Sequence, residues 1–169
     1  HAQPALAPGF HPDLSGAGHS PIWSTHVYVR DSGLLHALLA IPDKETLLAH
    51  PVLGQSWEGF VVASLLDSLP EGVHGYFYRS NGGAEIDLLL AWSDGSLWAI
   101  EIKRSLTPKV ERGFHAACAD LQPARKLLIY PGGESYRLAA DIEVVGLVTA
   151  AALVAGYNGA SGLPISPDP

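Results

Sequence analysis

Two carboxylates and a lysine stand at spacings that a pair of neighbouring strands can bring to one point. The segments are Ala84-Glu85-Ile86-Asp87 and Ala99-Ile100-Glu101-Ile102-Lys103, separated by a turn signal at Asp94-Gly95. Strand residues two apart project from the same face, so Glu101 and Lys103 belong together. Whether Asp87 joins them depends on the connection. A two-residue turn at Asp94-Gly95 pairs Ser93 with Ser96 and sets Asp87 opposite Ile102, on the wrong face. A three-residue loop, Ser93-Asp94-Gly95 with Gly95 left-handed, pairs Trp92 with Ser96 and Asp87 with Glu101. The second register is the expected one.

Converging carboxylates repel unless a cation or a proton stands between them. Hard oxygen ligands of this kind suit Mg²⁺ or Mn²⁺, which take one or two carboxylates and keep several waters. Such an ion lowers the pKa of water and stabilises charge on a phosphate oxygen. An ammonium beside it, Lys103, would orient the water or neutralise the developing charge, which is the minimum equipment for phosphodiester hydrolysis. The plain alternative is a surface salt bridge, because Glu-x-Lys is a common tripeptide. Two features favour the site: Glu101 and Lys103 interrupt the apolar run from Leu97 to Ile102, and Asp87 interrupts Ile86-x-Leu88-Leu89-Leu90. Unpaired charge in such runs is costly.

The elements that must position these groups follow from periodicity. His26–Arg30 reads as a strand, Asp31-Ser32-Gly33 opens a helix carrying Leu34, Leu35, Leu38 and Leu39, and Asp43 caps a short helix ending near His50. Gly54 to Leu69 is an amphipathic helix with Trp57, Phe60, Val61, Leu65 and Leu69 as its buried stripe. Strands are expected at Val73–Arg79, Glu85–Trp92 and Leu97–Lys103. Thr107-Pro108 supplies a helix N-cap and first-turn proline, and that helix runs to about Leu121, burying Val110, Phe114, Cys118 and Leu121. Leu127–Tyr130 reads as a strand covered on both faces. Ile142–Val145 is a further strand, and Thr149–Val154 a short closing helix. This order implies a mixed α/β sandwich, a central mixed sheet flanked by helices, in which Leu97–Lys103 and Leu127–Tyr130 are joined by a right-handed parallel crossover. Residues 1–22 read as a flexible arm, 23–156 as the domain and 157–169 as a tail.

Length and composition suit one domain. The chain has 169 residues, 47% of them apolar and 16% charged, enough for a real core but not for two comfortable ones. No apolar run approaches the ~18 residues of a membrane span, and no signal peptide opens the chain. The single cysteine, Cys118, reads as a small buried hydrophobe in a reduced, cytoplasmic compartment. The chain opens on His1 and contains no methionine, as expected of a fragment or processed product. The eight histidines lack metal-ligand spacing, which argues against zinc. Net charge is −7, against global attraction to nucleic acid, but residues 101–126 carry +3 and leave −10 for the rest. A basic face beside an acidic cluster suits a polyanion approaching a metal site; a solvated helix and strand end is the alternative.

An acid on a helix, then Asp, then Glu-x-Lys on adjacent strands resembles the PD-(D/E)xK nuclease superfamily, with its restriction-endonuclease-like three-layer sandwich. The resemblance implies Glu58 as the helix acid, Asp87 as the first strand acid, and Glu101 and Lys103 as the Glu-x-Lys pair, with Glu58, Asp87 and Glu101 around the metal. Ile86 replaces the proline that names the motif. Arg79, Glu85 and Gln122 are candidate supporting residues: Arg79 and Glu85 would pair or brace the site, and Gln122 would either face the cleft from a helix end or simply be solvated there. A closer resemblance spans about Val27 to Val148. Tyr28-Val29-Arg30-Asp31-Ser32-Gly33-Leu34-Leu35-His36-Ala37-Leu38-Leu39, His50-Pro51-Val52-Leu53-Gly54-Gln55-Ser56-Trp57-Glu58-Gly59-Phe60-Val61-Val62 and Tyr76-Phe77-Tyr78-Arg79-Ser80-Asn81-Gly82-Gly83-Ala84-Glu85-Ile86-Asp87 look like the C-terminal domain, itself of unknown function, of a large prokaryotic group classed as AAA+ ATPases. That resemblance implies an ATPase module in the same parent chain and nucleic acid as a partner. Relatives often carry Lys and Arg before the first strand, which His19–His26 lacks. No Gly-x-x-x-x-Gly-Lys-Ser/Thr phosphate loop occurs in this chain, so ATP binding is not expected here. The competing expectation is a non-catalytic module that binds nucleic acid, a partner protein or its own ATPase.

Overall fold

The computed structural model of the chain describes residues 21–22 and 52–158. The strand expected at His26–Arg30 and the two helices expected between Asp31 and His50 lie outside these residues. The described strands are β1 (Pro21–Ile22), β2 (His74–Ser80), β3 (Glu85–Ala91), β4 (Leu97–Ile102), β5 (Arg125–Tyr130), β6 (Tyr136–Ala139) and β7 (Ile142–Gly146). They form one mixed sheet in the order β1-β2-β3-β4-β5-β7-β6. Strands β1 to β4 pair antiparallel, β4–β5 and β5–β7 pair parallel, and β6 returns antiparallel at the edge.

Helices cover both faces of the sheet. Helix α2 (Arg112–Leu121) lays Phe114, Ala117, Cys118 and Leu121 on Tyr78, Ile86, Leu89 and Leu128. Helices α1 (Val52–Asp67) and α3 (Leu147–Ala155) pack Val61, Leu65, Ala150 and Val154 against Leu88, Leu90, Trp98, Ile100 and Ile129 on the other face. β5 shows why both layers are needed. Leu127 and Ile129 enter one core, Leu128 and Tyr130 the other, as a continuous apolar run demands when no face meets water. The mixed α/β sandwich expected from the element order is therefore present, and β4 and β5 are parallel.

Several elements differ from expectation. Phe60 is 46% exposed rather than buried; Val61 and Leu65, one helical turn apart, take the inward stripe, and Phe60 falls beside it. Helix α2 starts at Arg112, not at Thr107-Pro108. The Ser105 hydroxyl accepts the Thr107 N–H at 3.1 Å, a local side-chain bond that competes with a helical turn. Strand β6 is an addition to the expected elements: it is four residues long, exposed throughout, and pairs only with β7 at the sheet edge. Pro21–Ile22, expected in the arm, pairs with Arg79 and Ser80 of β2. Tyr157, expected in the tail, packs its ring 4.4 Å from Trp92 and 4.8 Å from Trp98, centroid to centroid.

Candidate functional site

The β3–β4 hairpin takes the three-residue connection. The Trp92 N–H donates to the Ser96 carbonyl at 3.0 Å, the Gly95 N–H to the Trp92 carbonyl at 2.9 Å, and Gly95 sits at φ +82°. Asp94 holds the turn by accepting the Ser96 N–H at 2.9 Å. The ladder that follows pairs Leu90 with Trp98 and Leu88 with Ile100, a register whose next step sets Asp87 opposite Glu101.

A bulge then aims Asp87. Across β2 and β3, Tyr76 faces Leu89 but Tyr78 faces Ile86, so β3 carries one extra residue, in the Asp87–Leu88 step. Bulges bend a strand and redirect side chains. Here Ile86 and Leu89, three residues apart, enter the same core layer while Leu88 enters the other, so simple alternation breaks at the Asp87–Leu88 step. The β3–β4 ladder ends at Leu88, and the next inward N–H, that of Ile102, donates to Asp87 Oδ2 at 2.7 Å.

Both acids are poorly solvated, and the charge of Glu101 repels that of Asp87. Burial, then the Glu101 charge, push the Asp87 carboxyl up to about 7, against the lowering effect of the Ile102 N–H; Glu58 adds a smaller upward push and Lys103 a small downward one. Glu101 is only 4% exposed, and burial raises its pKa against the opposing pull of Lys103. The Lys103 ammonium lies 2.7 Å from Glu101 Oε1 and 2.6 Å from Glu111 Oε1. Burial alone would lower its pKa, but hydrogen bonds to the two carboxylates raise it well above that of free lysine. It stays charged.

Glu58 arrives from the opposite face. The Trp57 indole N–H, one residue before it, donates to the Lys103 carbonyl at 3.2 Å, tying α1 to the end of β4. The Lys103 N–H meanwhile donates to Ile129 of β5 at 2.9 Å. Glu101 and Lys103 therefore meet, and Asp87 lies within electrostatic reach of both and of Glu58. Arg79 and Glu85 pair with each other at 3.2 Å near the surface, and the Glu85 charge reaches Glu101. Gln122 stands apart. It caps the C-terminal end of α2 at φ 49° with its amide on the Ala119 carbonyl, near Ala124, whose N–H meets Leu97 at the start of β4. Glu101 and Lys103 are at the other end of that strand.

Two contributors escaped the sequence reading. Glu111, the N-cap residue of α2, leaves its own helix uncapped and turns its carboxylate to Lys103. A helix opening at Thr107-Pro108 would have held Glu111 within it, and only the later start of α2 at Arg112 frees its side chain for this use. Trp57 was read only as core.

Among the described residues, no three His, Cys, Asp or Glu side chains are gathered closely enough to hold an ion by themselves. Magnesium sites commonly use only one or two protein carboxylates. Asp87 and Glu101 meet that lower requirement in chemistry: a half-buried and a buried carboxylate, both with raised proton affinity.

Residues 53–150 match the family described as "Domain of unknown function (DUF4143)". The chain is 41% identical over 122 residues to the uncharacterized proteins Mb2031c of Mycobacterium bovis and Rv2008c of Mycobacterium tuberculosis. That alignment covers 72% of this chain and 27% of each relative, so the chain spans about a quarter of the relatives' length. No solved structure matches it. No described helix is long and apolar enough to cross a membrane.

Proposed function

We propose that this chain, which belongs to the DUF4143 family, is a nuclease-like domain of the PD-(D/E)xK type that hydrolyses phosphodiester bonds in nucleic acid with Mg²⁺ or Mn²⁺. Asp87 and Glu101 are the principal metal ligands, Glu58 is the third acid, and Lys103 is the positioning cation. The observation that carries this reading is that Lys103 meets Glu101 at 2.7 Å at the end of β4, with Asp87 held on the Ile102 N–H within electrostatic reach of both; burial raises the proton affinity of both acids, and the Glu101 charge adds to it at Asp87. The resemblance to the restriction-endonuclease-like sandwich adds to it.

A bound Mg²⁺ or Mn²⁺ would supply Lewis acidity and charge neutralisation at a phosphate oxygen. The rest is the work of the chain. Asp87 is part-protonated near neutral pH and gives up its proton when its carboxylate is needed as a ligand. Glu101 keeps the ammonium of Lys103 beside the same point, where it can accept a non-bridging phosphate oxygen as partner. The buried wall of β4 excludes bulk water and strengthens each of these interactions. In the overall step, the water oxygen bonds to phosphorus, the P–O ester bond breaks, and the departing oxygen gains a proton.

Calorimetric titration with Mn²⁺ tests the site, comparing the chain with Asp87→Ala. Binding that disappears in the variant, and nicking of DNA or RNA that disappears in Lys103→Ala, is the expected result. No heat at millimolar Mn²⁺ overturns the reading.

A second reading has its own support. Lys103 is engaged by two carboxylates at once, an arrangement that serves as a structural ion pair without any metal. In this reading the domain is a non-catalytic module, binding nucleic acid or a partner protein for an AAA+ ATPase carried by the longer parent chain. Nucleic-acid binding with no Mn²⁺ uptake would select it.

A further inference from the structure

The cations of this protein are not evenly partnered. Among the described residues, Arg79, Lys103, Arg125 and Lys126 each meet a carboxylate: Glu85, then Glu101 with Glu111, then Glu143, then Asp141. Arg137 donates to the Ala140 carbonyl. Arg104, Lys109 and Arg112 are all exposed, and among the described residues none of them makes an ion pair. All three lie on the connection that leaves Lys103 or on the first residue of α2. Glu111, the single acid between Lys103 and Arg112, already holds Lys103. Among the described residues of this chain of net charge −7, the lysines and arginines that meet neither a carboxylate nor a carbonyl thus lie together, on the loop that leaves Lys103 and at the start of α2.

Two more features point the same way. The positive end of the α2 dipole opens at Arg112, adding to the local field. Leu106, in the middle of the loop, is 69% exposed, an apolar surface that phosphate does not need and a base can use. The acidic remainder of the chain does not cancel this patch at close range, because exposed charges are screened beyond roughly 8 Å at physiological ionic strength.

We propose that the connection from Arg104 to Arg112 is the landing surface for a nucleic-acid strand. Its three cations take backbone phosphates, and Leu106 meets an accessible base. The inference rests on the nucleic-acid reading of the neighbouring acids, but binding at this surface requires no divalent ion. The recognised chemistry is a phosphodiester chain with exposed bases, which single-stranded DNA and RNA share.

The test is fluorescence anisotropy of labelled single-stranded DNA and RNA of one sequence, about 20 nucleotides long, with the full chain in EDTA. Three neutralised phosphates give a slope of about −2 for log affinity against log salt. Replacing Arg104, Lys109 and Arg112 together by Gln is expected to weaken binding by about tenfold or more at ~50 mM salt and to flatten the slope. Lys109→Glu alone weakens it in the same sense, and Arg137→Gln leaves it unchanged. Leu106→Ser lowers affinity without altering the slope. The inference is overturned if the chain binds neither strand at low salt, or if the triple variant binds as tightly as the parent. It is also overturned if inorganic polyphosphate competes as well as unlabelled strand while Leu106→Ser has no effect, since the patch is then a general anion site. Strand binding that is lost in the triple variant, together with no Mn²⁺ uptake, sinks the metal-site reading alone. Mn²⁺ uptake that depends on Asp87, with undiminished strand binding by the triple variant, sinks the landing surface alone.

Discussion

Asp87 takes the place of a main-chain acceptor for Ile102, whose N–H it receives at 2.7 Å where the β3–β4 ladder ends. The carboxylate is thus locked in position by the backbone while burial and Glu101 oppose its charge. A hydrogen bond to an N–H ordinarily makes a carboxylate a stronger acid. Here that effect is outweighed, and the group ends near neutrality.

The first consequence is a pH dependence of stability in the metal-free protein. The Asp87 carboxyl rises from an ordinary 3.8 to about 7 on folding, so between these values the folded chain binds more protons than the unfolded one. Stability then falls as pH rises from about 4 to about 7 and levels off above, with a slope from this group of at most about 1.4 kcal/mol per pH unit. Glu101, also raised, adds in the same direction. Urea unfolding in EDTA across this range checks the sign, and Asp87→Asn is expected to remove most of the Asp87 share.

Asp87→Asn also trades function for stability. The amide oxygen can still accept the Ile102 N–H, but no buried charge remains. At pH 8 without metal the variant is expected to be more stable than the parent by roughly 2 kcal/mol. It is expected to lose Mn²⁺ binding at the same time. A denaturation midpoint that does not move, or moves down, contradicts this account of the site.

Lys103→Met leaves Glu101, 4% exposed, without its ammonium partner. Removing one member of a buried pair costs about 3 kcal/mol or more, and the thermal midpoint in EDTA should drop accordingly. Mn²⁺ should raise that midpoint further in the variant than in the parent, because a bound ion stabilises only the folded state and no lysine competes for Glu101. Equal shifts in the two proteins would count against Glu101 as a ligand.

Gly113→Ala probes the seat of Glu111. A methyl at 113 would stand 2.7 Å from the Gly83 carbonyl oxygen in the β2–β3 turn, a main-chain atom that cannot swing aside. Overpacking of this kind costs about 1–3 kcal/mol, and it lifts the start of α2, and Glu111 with it, from Lys103. Chemical denaturation measures the first effect; a crystal structure of the variant, with the Lys103–Glu111 separation lengthened, measures the second.

Much of the hairpin was legible because short-range stereochemistry decides it. Ser93-Asp94-Gly95 favours the three-residue loop, and once Gly95 is left-handed the count back to Asp87 and Glu101 follows. The apolar run at Leu127–Tyr130 announced a strand with two covered faces for the same local reason. Thr107-Pro108 misled, because the cap signal there competes with a hydroxyl–amide bond from Ser105 that only the folded loop shows. Arg79 and Glu85 take the pairing option of the two open to them; Gln122 takes the solvated one, because the C-terminal end of α2 lies beside the start of β4, away from Glu101 and Lys103.

By itself the chain therefore determined which residues alternate, where turns fall and which acids interrupt apolar strands, all properties carried by a few neighbouring positions. Tertiary structure alone decided that a bulge re-aims Asp87, that Trp57 ties α1 to Lys103, and that Glu111 forsakes its own helix for Lys103. It also decided that Arg104, Lys109 and Arg112 remain without acidic partners among the described residues. Burial, and with it the proton affinity of Asp87, depends on layers packed from residues far apart in the chain. No local pattern encodes that distance.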